Sequence, residues 1–232
     1  MSREFDLILF DADDTLFDFA ASQRLAFETC LQSFIGCGPH HEAYRIYVEV
    51  SAVLWQRLEQ GALTKHELRE RRWVELSERC QLELSAPEVS EAYLKDLARH
   101  SHLIDGAVDV CRALAPNRQL GIVTNGFEAV QTARLEASPL RELIDFMVTS
   151  ETAGAAKPAP AVFELALRRS ARAVPRERVL VVGDSITSDI AGGQRMGFAT
   201  CWFNPTEAAR PSHVAPDYTI SRLAELVGIL TA

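Results

Sequence analysis

Basic charge is what this 232-residue chain has least to spare. Its 24 Lys and Arg stand against 32 Asp and Glu, a net charge of −8. Nucleic-acid backbones are held through clustered cations, so the balance supplies no footprint for DNA or RNA, although a local basic pocket for a small anion remains compatible with it. Cysteine is sparse and scattered. Cys30, Cys37, Cys80, Cys111 and Cys201 are odd in number and form no CxxC pair, which argues against a disulfide framework and against a zinc site. No apolar run approaches the roughly 20 residues that cross a bilayer. The opening Met1-Ser2-Arg3-Glu4-Phe5-Asp6 has no secretory apolar region, so the expectation is a cytoplasmic protein engaging neither membrane nor nucleic acid. Repeats and low-complexity segments are also missing. The 47% hydrophobic and 24% charged residues suit a soluble chain with one main core and room for a second module.

Acidic residues, by contrast, are concentrated in two places. Asp11, Asp13 and Asp14 follow the apolar run Phe5-Asp6-Leu7-Ile8-Leu9-Phe10, and Asp184 and Asp189 follow a second such run in Gly183-Asp184-Ser185-Ile186-Thr187-Ser188-Asp189. Like charges a few ångströms apart repel by ~1 kcal/mol in water and by more beside low-dielectric walls. A hard divalent cation such as Mg2+ relieves that repulsion with few carboxylate ligands. A solvated acidic turn is the commoner fate of one such cluster; two, each straight after an apolar run, favour the metal.

Short β-rich runs recur at Phe5–Phe10, Gln119–Thr124, Phe146–Ser150, Val179–Gly183 and Ala199–Phe203, with a weak sixth at Tyr218–Ile220. Helical patterns separate them. Pro158 and Pro160 precede a face bearing Phe163, Ala166 and Leu167, while Ser188 and Gly197 suggest the start and end of another helix. Strands alternating with helices predict an α/β fold with a doubly wound parallel sheet. The stretch 18–103 carries no β-run. Four helical patterns fill it, marked by Phe27, Leu31, Phe34 and Ile35, by Tyr47, Val50, Leu54 and Leu58, by Trp73, Leu76 and Cys80, and by Val89, Tyr93 and Leu97. Thr64-Lys65-His66-Glu67 and Ser85-Ala86-Pro87-Glu88 spell capping boxes before the last two. The expected organisation is an α/β core from 1–17 and 104–232 with an inserted all-helical cap over 18–103.

In open parallel sheets, ligands bind beyond the carboxyl ends of the strands. There the chain delivers Asp11 and Asp13, then Thr124-Asn125-Gly126, then Lys157 before Pro158, then Asp184 and Asp189. Each has a bland alternative as a turn, a solvated charge or a helix cap; four at one sheet edge is a much rarer accident. Together they match the apolar strand then D-x-D-x-T, the strand ending in Ser or Thr, the Lys before Pro and the G-D-x-x-x-x-D of one family. The chain resembles the haloacid dehalogenase-like hydrolases over essentially its whole length. Phe10-Asp11-Ala12-Asp13-Asp14-Thr15-Leu16-Phe17, Val123-Thr124-Asn125-Gly126-Phe127, Ala199-Thr200-Cys201-Trp202-Phe203-Asn204, Leu54-Trp55 and Gly61-Ala62-Leu63-Thr64 look like that family's bacterial pyrimidine 5'-nucleotidases. Two positions depart from the family pattern: Asp14 stands where Gly or Glu is commoner, and Asp105 where Pro often precedes Gly106-Ala107.

The resemblance implies a Rossmann-like core and a phosphatase using Mg2+, with Mn2+ or another divalent cation as substitute. Asp11 would attack phosphorus to form an aspartyl-phosphate, and Asp13 would serve as general acid and then base. Asp11 and Asp184, with the Asp13 main-chain carbonyl, would hold the metal, with Asp189 behind them. Thr124 and the Asn125 and Gly126 main-chain N–H groups would bind the phosphate, and Lys157 would neutralise charge. The expected partner is a small phosphorylated metabolite, a pyrimidine nucleoside monophosphate such as dUMP, UMP or dTMP, taken by a monomer or small homo-oligomer.

Alternatives stay open at this point: a sugar-phosphate or phosphoglycolate phosphatase, a phosphomutase, or a phosphate-sensing module without turnover. A dehalogenase is disfavoured by Asp13. A phosphonate-cleaving enzyme would need a reactive lysine among Lys65 and Lys95, which read as surface charge. His100 and His102 read as helix-end residues ahead of metal ligands. Trp55, Trp73 and Trp202 are base-stacking candidates against a core reading.

Overall fold

A computed structural model describes residues 4–38, 40–212 and 214–231. The chain divides into two compact units, Met1–Phe19 with Ser101–Ala232, and Ala20–His100. In chain order, β1 (Leu7–Phe10) leads into α1 (Phe19–Ile35), α2 (His41–Glu59), α3 (Lys65–Cys80) and α4 (Ala86–Leu97). Then come α5 (Ala107–Leu114), β2 (Gln119–Thr124), α6 (Glu128–Glu136), β3 (Phe146–Thr149), α7 (Ser150–Ala153) and α8 (Pro160–Arg169). β4 (Val179–Gly183), α9 (Ala191–Arg195), β5 (Ala199–Phe203), β6 (Tyr218–Ile220) and α10 (Ala224–Thr231) complete the chain.

The six strands form one parallel sheet in the order β3-β2-β1-β4-β5-β6. The doubly wound sheet read from the sequence is therefore the observed fold, with Tyr218–Ile220 as its short edge. β1 shows why. Successive strand side chains point to opposite faces, and Leu7, Ile8, Leu9 and Phe10 are all fully buried. Ile8 and Phe10 join Leu120, Ile122, Leu180 and Val182 in a core with Val110, Cys111 and Leu114 of α5 and Leu226 of α10. Leu7 and Leu9 join Val123, Val148, Val179 and Val181 against Val162, Phe163 and Ala166 of α8. A strand with helices on both faces has no solvent side, so it reads as a continuous apolar run. Burial of each such side chain contributes about 1.5–3 kcal/mol, an upper figure for a denatured chain that is itself partly collapsed. The strand order reverses between β1 and β4, and such a reversal opens the crevice where ligands bind in folds of this type.

The second unit holds an aromatic core. The rings of Phe27, Tyr47, Trp73 and Tyr93 lie within 4.9–6.0 Å of one another in the pairs Phe27–Tyr47, Phe27–Trp73, Tyr47–Trp73, Tyr47–Tyr93 and Trp73–Tyr93. Arg72 is buried among them, its guanidinium carbon 4.9 Å from the centre of the Tyr93 ring. Among the described residues no helix is long and apolar enough to cross a membrane.

Several local expectations need correction. Phe34 and Ile35 are partly exposed, because the apolar stripe of α1 runs into its last turn, past the buried Cys30 and Leu31. Ser150 opens α7 and does not end β3, since Thr149 already turns the chain by accepting the Thr152 N–H. The turn after the second acidic cluster is capped by Ser185, whose hydroxyl accepts the Ser188 N–H, so Ser188 is not the cap. Ser85 makes no side-chain cap bond to α4, whereas Thr64 and Glu67 form the full reciprocal box on α3. Thr64→Ala should lower unfolding stability by about 1 kcal/mol in urea denaturation. Ser85→Ala should move it much less.

Candidate active site

Asp11 directly follows β1, and its main-chain N–H donates to Val182 of β4 at 2.9 Å. This fixes the residue at the strand reversal. Its Oδ1 accepts the Ala12 N–H at 2.7 Å and the Lys157 ammonium at 2.5 Å. Lys157 is 2% exposed. Its Nζ also lies 2.7 Å from Asp189 Oδ1 and donates to the Val123 carbonyl at 2.8 Å. Three donors thus meet three acceptors, the full capacity of an ammonium. Asn125 places the lysine. Its Oδ1 accepts the Lys157 main-chain N–H at 2.7 Å, and its Nδ2 donates to the Lys157 carbonyl at 3.1 Å.

Asp184 follows β4. Its main-chain N–H donates to Thr15 Oγ1 at 3.1 Å, and its carbonyl accepts the Trp202 Nε1–H at 2.8 Å. Asp189 is buried, and its Oδ2 accepts the Ser185 N–H at 3.1 Å. Gly183 is required here, because a Cβ at that position would come within 2.2 Å of the Asp189 carboxylate.

Carboxylate oxygens of Asp11, Asp184 and Asp189 all lie within 4.8 Å of one another, the one such group among the described residues. With Lys157 the cluster carries a formal charge of −2 in an all-oxygen donor environment, which fits Mg2+. Burial, then the neighbouring charges of Asp189 and Asp14, pushes the Asp184 carboxyl up to about 7. Burial, followed by Asp189, raises Asp11 well above the ordinary carboxylate range despite Lys157. Lys157 itself is disfavoured by burial, but Asp11 and Asp189 more than compensate, and its pKa is raised.

Asp13 lies outside the converging group. Its Oδ2 accepts Gln131 Nε2–H at 2.6 Å and its Oδ1 accepts Arg134 Nη1–H at 2.5 Å. Thr124 Oγ1 accepts the Gly126 N–H at 3.0 Å and the Gln131 amide at 3.3 Å. Asp14 adopts a left-handed backbone (φ 56°) and turns its carboxylate to the Phe19 N–H at 3.2 Å.

The structure therefore unites Asp11, Lys157, Asp184 and Asp189 directly and joins Asp13 to Thr124 through Gln131. Gln131 and Arg134 were not singled out in the sequence. The signal available was their i, i+3 spacing on α6 beside the apolar Val130 and Leu135, which puts two long polar side chains on a buried face. Of the stacking candidates, Trp73 is wholly buried in the helical unit and Trp202 is nearly so. His100, just past the end of α4, pairs with Asp96 at 3.3 Å.

A family model for haloacid dehalogenase-like hydrolases matches residues 5–197. The chain belongs to that family. The pyrimidine 5'-nucleotidase YjjG of Escherichia coli is 37% identical over 230 residues, 98% of each chain. The pyrimidine 5'-nucleotidase PynA of Streptococcus pneumoniae is 30% identical, over 97% of this chain and 95% of that one. Among solved structures, the hydrolase YfnB of Bacillus subtilis, bound to magnesium, superposes with a TM-score of 0.92 at 32% identity, over 99% of this chain and 100% of that one.

A carboxyl whose pKa is raised on folding binds its proton more tightly in the native state. Its contribution is complete below the unfolded value near 3.8 and is lost as pH rises through about 7. The metal-free protein should accordingly show a falling Tm from about pH 4 to about pH 7, with Asp11 acting in the same direction. Asp184→Asn should flatten that slope; an unchanged slope in differential scanning calorimetry contradicts the assignment.

Proposed function

We propose that this hydrolase is a Mg2+-dependent phosphatase of nucleoside 5'-monophosphates, with pyrimidine nucleotides such as dUMP, UMP and dTMP preferred. It is a phosphoric monoester hydrolase. The observation that carries the reading is the convergence of Asp11, Lys157, Asp184 and Asp189 at the strand reversal, with Asp13 two residues beyond Asp11. The resemblance to two pyrimidine 5'-nucleotidases along almost the whole chain supports the substrate class, and the magnesium-bound relative supports the metal.

Asp11 and Asp184, with the main-chain carbonyl of Asp13, would hold Mg2+. When bound, the ion supplies positive charge to a phosphate oxygen and to the crowded carboxylates. Both hydrogen bonds on Asp11 fall on Oδ1, so Oδ2 is the oxygen that attacks phosphorus. The bond between phosphorus and the ester oxygen breaks as the aspartyl-phosphate forms, and Asp13 gives the leaving oxygen its proton. Water then attacks the phosphorus, losing its proton to Asp13, and Asp11 is released. Thr124 Oγ1 accepts the Gly126 N–H and the Gln131 amide, and its own O–H donates to a phosphate oxygen beside the Asn125 main-chain N–H. The Gly126 N–H, expected from the sequence to bind phosphate, is instead taken up by Thr124. Lys157 stays charged and offsets the negative charge of Asp11 and the transferred group.

Phosphate release should be measured on dUMP, UMP, dTMP, purine nucleotides, sugar phosphates and phosphoglycolate, with Mg2+ and with EDTA. Fastest turnover on the pyrimidine nucleotides, and loss of turnover in EDTA, are expected. A sugar phosphate as best substrate overturns the nucleotide reading, and activity that survives chelation or Asp11→Asn overturns the mechanism. Lys157→Met should lower kcat by about 10²–10³. Because metal competes with protons for Asp11 and Asp184, added Mg2+ should raise Tm more at pH 8 than at pH 5, a binding readout independent of turnover.

A further inference from the structure

The carboxylate of Asp13 is gripped at both oxygens by one helix. Arg134 is wholly buried and Gln131 nearly so, and they stand one turn apart on α6 with donors 2.5 and 2.6 Å from Oδ1 and Oδ2. The two donors are themselves tied together, since Arg134 Nη1 donates to Gln131 Oε1 at 3.1 Å. The guanidinium is braced from behind, its carbon 4.7 Å from the centre of the Phe17 ring. Gln131 is braced by close packing, because a Cβ on Gly126 would come within 2.1 Å of its Nε2. A buried arginine is costly unless its charge is paired, and a solvated acidic turn would need no such partner. The expense is understandable if the direction of the Asp13 carboxyl matters.

We infer that Gln131 and Arg134 are positioning residues for Asp13, fixing the plane of its carboxyl so that its proton is delivered to the ester oxygen leaving phosphorus. This rests on the phosphatase reading and extends it to two side chains outside the phosphate and metal ligands proposed above. As Asp11 Oδ2 bonds to phosphorus, the phosphorus–oxygen bond of the ester breaks and its electron pair stays on the ester oxygen. The proton that Asp13 took from water in the preceding turnover moves there, leaving the ionised carboxylate that pairs with Arg134. A side chain that swings away loses most of that benefit, because proton transfer requires hydrogen-bond reach. The loss falls on esters with poor leaving groups. A nucleoside alkoxide needs the proton, whereas p-nitrophenolate departs without it.

The test compares kcat/KM for dUMP with kcat/KM for p-nitrophenyl phosphate in saturating Mg2+. In Arg134→Met the ratio should fall at least about tenfold, within the range general acid catalysis supplies, and Arg134→Lys should restore part of it. Gln131→Met should lower the ratio in the same direction and decides the matter if Arg134→Met fails to fold by circular dichroism. In an Asp13→Asn background, adding Arg134→Met should change the ratio less than about twofold, since coupled residues are not additive. A merely structural role would slow both esters alike and leave the ratio unchanged, which overturns the inference alone. Absence of hydrolysis of either ester by the wild-type protein overturns the phosphatase reading and this inference with it.

Discussion

The ammonium of Lys157, seated between Asp11 and Asp189 where the parallel sheet reverses its strand order, holds the site together. A cation this deeply buried persists only with its partners in place, because a desolvated charge left alone costs several kcal/mol. The reverse also holds. Without the lysine, Asp11, Asp184 and Asp189 would face one another with three negative charges and no internal counterion. The lysine satisfies only part of that excess, and the remainder suits a hard divalent cation. Stability and metal affinity are thus drawn from the same charges.

Glycine makes the crowding possible at two strand ends in the same way. Gly126 follows β2 and lets Gln131 fold back across the sheet edge; Gly183 ends β4 and lets Asp189 do likewise. In each case a polar side chain from the next turn of structure occupies the volume a Cβ would need. Functional groups from helices thereby reach a rim that strands alone would supply only with Asp11, Thr124 and Asp184.

Much of this was legible in the sequence because it depends on local pattern. The apolar run Leu7–Phe10 announces a strand covered on both sides, and the polar residues after each strand lie at the carboxyl edge by topology alone. Thr64 and Glu67 announce a cap because their bonds span three residues. What sequence did not yield depends on contacts between distant segments. The pairing of Arg134 with Asp13 joins residues 121 positions apart, and the use of Trp202 on the Asp184 carbonyl needs two neighbouring strands in register. Ser185 and Ser188 both have capping chemistry, and only the backbone of the turn chooses between them. Phe34 and Ile35 continue the helical period of α1 beyond its buried face, where periodicity has no further meaning.

The pairing of Asn125 with the main chain of Lys157 ties the loop before α8 to the end of β2. A carboxamide presents an acceptor and a donor side by side, as a peptide group does, so the Asn125 side chain stands in for a peptide group where the backbone has already turned away. An aspartate has nearly the same outline but no N–H. At position 125 it would set an oxygen against the Lys157 carbonyl and bring another anion towards an edge already overfull of them. The asparagine is thus the smallest side chain that can register the lysine-bearing loop against the sheet while remaining electrically neutral.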